Sequence, residues 1–150
     1  MVPVQYSRRS VWSWALFDFA NSPFTTLVIT FVYATWFTDV LVGDNNRGTV
    51  LWSRAITITA VVVAVLSPLL GALADRGGYR KAFVVAFSAI CIVATTALYF
   101  VGPGEILAAL VLVIIANIAF EFSIVFYNAF LPDIAPHDRV GRISGIAWGL

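Results

Sequence analysis

Gly71-Ala72-Leu73-Ala74-Asp75-Arg76-Gly77-Gly78-Tyr79-Arg80-Lys81 is the stretch whose reading decides the fold. Apolar runs long enough to cross a bilayer lie on either side of it. The stretch itself holds one carboxylate, three cationic side chains and three glycines. It must turn the chain within a few residues and hold it at the water boundary.

The composition agrees with a membrane protein. Of 150 residues, 61% are hydrophobic and 11% charged, against about 25% charged in a soluble domain. The cations sit between apolar runs instead of pooling with exposed aromatics, so no nucleic-acid partner is expected. Cys91 is the one cysteine. No internal disulfide is available, and no metal or cofactor site is expected. His137 reads as a solvated loop histidine. Ser7-Arg8-Arg9-Ser10 is not an export signal. The apolar run after it is too long, carries Asp18 and shows no small-x-small cleavage site.

Taken in order, the pattern predicts an all-α, polytopic membrane helix bundle with spans at about 11–38, 52–74, 82–101 and 106–131. Pro23 is expected to kink the first span near mid-depth. Residues 39–48 read as a polar, turn-rich loop. Gly102-Pro103-Gly104-Glu105 reads as a very short turn. Pro132 closes the fourth run, and a fifth begins at 143. That segment is too short to span, so the chain reads as the N-terminal part of a longer protein. Seven of the nine cations (Arg8, Arg9, Arg76, Arg80, Lys81, Arg139, Arg142) then fall on one side, against Arg47 and Arg54 on the other. The positive-inside rule places the N-terminus and the 75–81 loop in the cytoplasm. Trp12, Trp14, Trp36 and Trp52 fall near span ends, as an interfacial aromatic belt requires.

Two spans carry charge within lipid, at about 2.5–3.5 kcal/mol for a charge at a helix centre. In the first, Asp18, Asn21, Ser22 and Thr25 recur at helical spacing. In the fourth, Asn117, Glu121 and Asn128 form a second stripe. These predict a polar cavity between the first and fourth spans. Asp18, Asn21, Asn117, Glu121 and Asn128 are the candidate solute- or proton-binding residues. The second and third spans hold only hydroxyls and Cys91, which can bond back to their own helices, so these spans are expected to be packing elements.

The opening stretch resembles, position for position, the loop 2–3 signature of the major facilitator superfamily (Gly-x-x-x-Asp-Arg/Lys-x-Gly-x-Arg/Lys-Arg/Lys). Ser13-Trp14-Ala15-Leu16-Phe17-Asp18-Phe19-Ala20-Asn21-Ser22 and Phe126-Tyr127-Asn128-Ala129-Phe130-Leu131-Pro132-Asp133-Ile134 resemble one branch of it, the fungal vacuolar, autophagy-linked effluxers and their prokaryotic relatives. The resemblance implies twelve spans in two six-helix halves, of which these 150 residues would be part of the first. It implies that Gly71, Asp75, Arg76, Gly78, Arg80 and Lys81 form a cytoplasmic gate, with Asp75 meeting a helix of the missing C-terminal half. It also implies secondary active transport by alternating access, with amino acids as the first candidate solutes. Many proton-coupled members carry an arginine in the fourth helix. This chain has only Glu121 there, so their coupling mechanism does not carry over.

The expected partners are therefore the bilayer, a small solute, protons and the rest of the same chain. The expected location is the plasma membrane of a prokaryote. The competing reading is a non-transporting membrane scaffold or sensor. An intramembrane enzyme is not expected, because no nucleophile–base pair or metal-ligand cluster accompanies the two carboxylates.

Overall fold

The computed structural model describes residues 8–131, 141 and 145, excepting the side chains of Arg8, Ser10, Asp75 and Arg76. Residues 132–140, and with them His137 and Arg139, lie outside the described residues, as do Arg142 and the expected start of a fifth span at 143. The described residues form four helices long and apolar enough to cross a membrane and no strand.

The first, α1, covers residues 8–42 in four segments without a break. Arg8–Pro23 is α-helical, Phe24–Phe31 is wound as a π-helix, Val32–Trp36 returns to α, and Phe37–Val42 is π again. Widening begins next to Pro23, whose missing N–H cannot serve the ordinary ladder. Thr30 Oγ1 donates to Thr25 O at 2.9 Å, a five-residue step that matches the wider winding. The helix thus stays continuous through Pro23, and its register drifts from that of an α-helix beyond it.

The polar loop expected at 39–48 is a tight two-residue link. Gly43 takes φ +68° to end α1, and α2 (Asn45–Gly77) starts at once. Asp44 caps it by accepting from Arg47 N at 3.1 Å, and Asn45 Nδ2 donates to Asp39 Oδ1 at 2.8 Å. The polar residues are helix caps. Gly48 is where the two helices touch. A Cβ there would lie 2.7 Å from Thr38 Cα.

The remaining helices also differ from the expected spans at their ends. Helix α2 runs through Pro68 to Gly77, and Gly78 at φ +64° closes it by donating to Ala74 O. Helix α3 is Arg80–Leu98 and α4 is Ile106–Asn128. The turn between them is tied by Gly102 N donating to Glu105 Oε2 at 2.7 Å, with Gly104 at φ +89°.

Helix α4 is the axis of the bundle and holds the most buried residues. Its Phe122 and Phe126 pack with Ala74 of α2 and with Phe83 and Phe87 of α3. At the other end Ala109 meets Phe37 and Leu41 of α1 in a cluster that Trp36 and Trp52 join. Trp12 is exposed, as a belt residue would be, but Trp14 is buried. It is a packing residue between α1 and α4.

Candidate functional site

Helix α1 lies against α4 through aromatic side chains one or two turns apart. Trp14 stacks on Tyr127 with ring centroids 4.7 Å apart and planes 6° from parallel. Two hydrogen bonds close the pair. Tyr127 Oη donates to Trp14 O at 2.6 Å, and Trp14 Nε1 donates to Tyr127 O at 3.4 Å. Phe17 also stacks on Tyr127, and Phe24 stacks on Phe120 one helical repeat further in. Each aromatic pair contributes about 0.5–1.5 kcal/mol beyond its buried area. The two stretches singled out in the sequence, around Trp14 and around Tyr127, are thus in direct contact.

This contact brings the two polar stripes onto neighbouring helices. Asn21 sits between Phe17 and Phe24 on α1, one turn from each. Asp18 is half-buried, and its backbone O accepts from Ser22 Oγ at 3.2 Å. On α4 the stripe grades outward. Asn117 is buried, Glu121 half-buried and Asn128 exposed. Glu121 makes no hydrogen bond or ion pair among the described residues.

A cavity of about 460 Å³ opens between α1 and α3. Phe17, Asn21 and Phe24 line it from α1, and Ser88, Cys91 and Thr95 from α3. Asp18, Asn117, Glu121 and Asn128 do not line it. Asn21 Nδ2 and Ser88 Oγ are both shielded, and neither has a hydrogen-bond partner among the described residues. The third span is therefore more than a packing element. Thr57 and Thr96 do bond back to their own helices, at 2.8 and 2.7 Å, but Ser88 does not. Nothing in the local sequence separates Ser88 from those threonines, so the serine was not legible as a site residue.

In the 71–81 stretch, Gly78 is the left-handed residue that ends α2. Gly77 lies so close to the Tyr79 ring that a Cβ would clash with it. Gly71 was expected to admit a close helix, yet a Cβ there would meet nothing within 4 Å. Arg80 is half-buried, and its Nη1 donates to Ala129 O at 3.4 Å. Ala129 follows the last residue of α4, so this arginine satisfies an orphan carbonyl and complements the negative end of that helix. Lys81 is exposed. The side chains of Asp75 and Arg76 lie outside the described residues.

Four membrane-length helices joined by tight turns, with carboxylates and amides inside two of them, define a multi-pass helical membrane protein of the major facilitator type. The chain belongs to the vacuole effluxer Atg22-like family, whose model matches residues 45–143. It is 30% identical over 141 residues, 92% of its length, to the uncharacterized MFS-type transporter YxiO of Bacillus subtilis (strain 168). It is 38% identical over 82 residues to autophagy-related protein 22 of Coccidioides immitis (strain RS), covering 55% of this chain. Autophagy-related protein 22-1 of Neosartorya fischeri is 35% identical over 81 residues, or 54% of this chain. The chain spans 33% of the length of the bacterial relative and 14% and 13% of the two fungal ones. No solved structure matches it.

Proposed function

We propose that this chain is part of a secondary transporter that carries a small polar solute across the membrane by alternating access, coupled to protons through Glu121. The observation that carries the reading is the state of that carboxylate. It lies within a span, half-buried, and no described residue holds it. An intramembrane acid that only glues helices needs a partner, and its burial is otherwise costly. Membership of a family with a vacuole effluxer as its type, and likeness to a bacterial MFS-type transporter, support the same reading.

Asp18, Asn21, Asn117 and Asn128 would share the solute path with Glu121. Amino acids are the first solutes to try. The N-terminus and the 71–81 loop would face the cytoplasm of a prokaryotic cell, where Gly71, Asp75, Arg76, Gly78, Arg80 and Lys81 would form a gate.

The experiment is a solute screen on the full-length protein in liposomes with an imposed pH gradient. Glu121→Gln should leave transport insensitive to pH. Wild-type pH dependence in that variant would remove Glu121 from the coupling step. Absence of transport for every small polar solute tried, in correctly folded protein, would count against the transporter reading as a whole.

A further inference from the structure

The cavity between α1 and α3 has a chemistry that the transport reading does not use. Its walls are mostly apolar, and none of the residues lining it is charged. Its volume of about 460 Å³ falls within the range of small-molecule sites, roughly 300–1,000 Å³. Two of the four shielded polar atoms without a partner among the described residues, Asn21 Nδ2 and Ser88 Oγ, line this one cavity. They come from facing helices. Leaving such groups unpaired costs about 1–3 kcal/mol each, so an arrangement that keeps two of them in one space calls for an occupant. The π winding of α1 starts at the same place. Pro23, Phe24, Leu27 and Val28 are all wall residues, and π segments recur where a helix has been reshaped for a site.

We propose that α1 and α3 form a binding site for an uncharged hydrogen-bonding group carried on an apolar body, with Asn21 Nδ2 and Ser88 Oγ as its polar contacts. Asn21 Nδ2 can only donate, so the group facing it is an acceptor such as a carbonyl, ether or hydroxyl oxygen. Ser88 can donate to the same molecule or accept from it. A carboxylate or ammonium is disfavoured, because no countercharge lines the space.

Depth decides between a lipid and a free small molecule. Asn21 lies about 15 Å along α1 from Val11, and Ser88 about 12 Å along α3 from Arg80, at about 1.5 Å per residue. Both spans start on the same face of the bilayer, so the two groups share a level near the middle of a hydrocarbon core about 30 Å thick. Lipid ester carbonyls stay near its edge. The occupant is a free molecule. The site does not require that the molecule be carried across.

Cys91 stands in the wall of the cavity, its Sγ 4.0 Å from Thr95 Oγ1, and serves as a reporter. The test uses the full-length protein in liposomes, with any other cysteine replaced by serine. The probe is N-ethylmaleimide, which is uncharged and bears two carbonyl acceptors. Alkylation of Cys91 should saturate with probe concentration, since occupancy precedes bond formation. Unreactive N-ethylsuccinimide should protect the thiol, and ethylcyclopentane, similar in shape but without carbonyls, should not. Ser88→Ala and Asn21→Leu should each weaken binding about fivefold, the worth of one neutral hydrogen bond. Neither should lower the melting temperature, because the groups removed have no partner to lose.

Linear alkylation that the two substitutions leave unchanged would make Cys91 an ordinary lipid-facing thiol and overturn the site. So would failure of both Cys91 and a separate Thr95→Cys reporter to react until the protein is denatured, since the space would then be filled by protein. A lower melting temperature for Ser88→Ala would make the serine a packing group. A difference in protection between ester-linked and ether-linked lipids would assign the space to lipid.

Discussion

Tyr127 shows how much a single side chain can fix in a bundle of this kind. Its ring is covered on both sides by Trp14 and Phe17, and its hydroxyl reaches the backbone of α1. In lipid a backbone carbonyl without a donor has no water to turn to. Trp14 O has a helical position but also accepts this bond, which pins the rotation of α1 against α4. Tyr127→Phe keeps the stack and removes the donor. The expected loss is about 1–3 kcal/mol, the range for a buried hydrogen bond deleted from one side. It should appear as a lower melting temperature of the full-length protein in detergent. Trp14→Phe, which removes the longer bond at 3.4 Å, should cost less. An equal or larger loss from Trp14→Phe would mean that ring area, not the hydroxyl, holds the pair.

At the scale of the helix, the contact between α1 and α2 depends on what Gly48 lacks. A methyl group there would press on Thr38 Cα at 2.7 Å, and backbone cannot rotate away. Gly48→Ala should therefore destabilise the α1–α2 hairpin by about 1–3 kcal/mol through overpacking. Gly71→Ala on the same helix meets open space and should leave thermal stability unchanged. The measurement is the melting temperature of each variant. Matching losses at both positions would mean that helix propensity, not contact, decides, although propensity alone predicts a gain from either change.

The same helices show what was legible beforehand. Four apolar runs announced four spans, because length and hydropathy alone set that requirement. Their ends were not legible. Asp39, Gly43, Asp44 and Asn45 are residues that make loops and also residues that cap helices. Only the bond from Arg47 N to Asp44 and the left-handed Gly43 show which they do here. Pro23 was visible as a disturbance, but a kink and a π-wound segment leave the same mark in sequence. In the candidate site, Asn21 and Glu121 were legible because an amide or acid inside a span is costly enough to need a reason. Ser88 was not, since a hydroxyl normally satisfies itself on its own helix. Trp14 was misread as a belt residue because its position near a span end is shared by belt and clasp alike.

For the whole molecule the open question is the 71–81 stretch, and it turns on Asp75. The backbone from Asn45 to Gly77 is one helix, so residue 75 falls in its last turn. A carboxylate there opposes the helix macrodipole, which favours cations at that end by about 0.3–1 kcal/mol. The other residues of the stretch have local roles. Gly78 stops the helix, Arg80 binds the end of α4, and Lys81 is exposed, as a cation at a membrane boundary should be. None of these roles calls for an acid. In the transport reading Asp75 meets the positive end of a helix from the rest of the chain, which the matched relatives, at least three times as long, have the length to supply. Such a contact would hold one side of the transporter shut and must break for it to open. Asp75→Asn keeps the shape and removes the charge. It should lower the maximal transport rate of the full-length protein in liposomes, shift accessibility toward the side on which the loop lies, and raise local helix stability slightly. Asp75→Glu should restore part of the rate. If Asp75→Asn instead impairs membrane insertion or inverts the topology, the acid serves assembly and the gate assignment fails. If it transports as well as the wild type with unchanged accessibility, the charge has no part in the cycle.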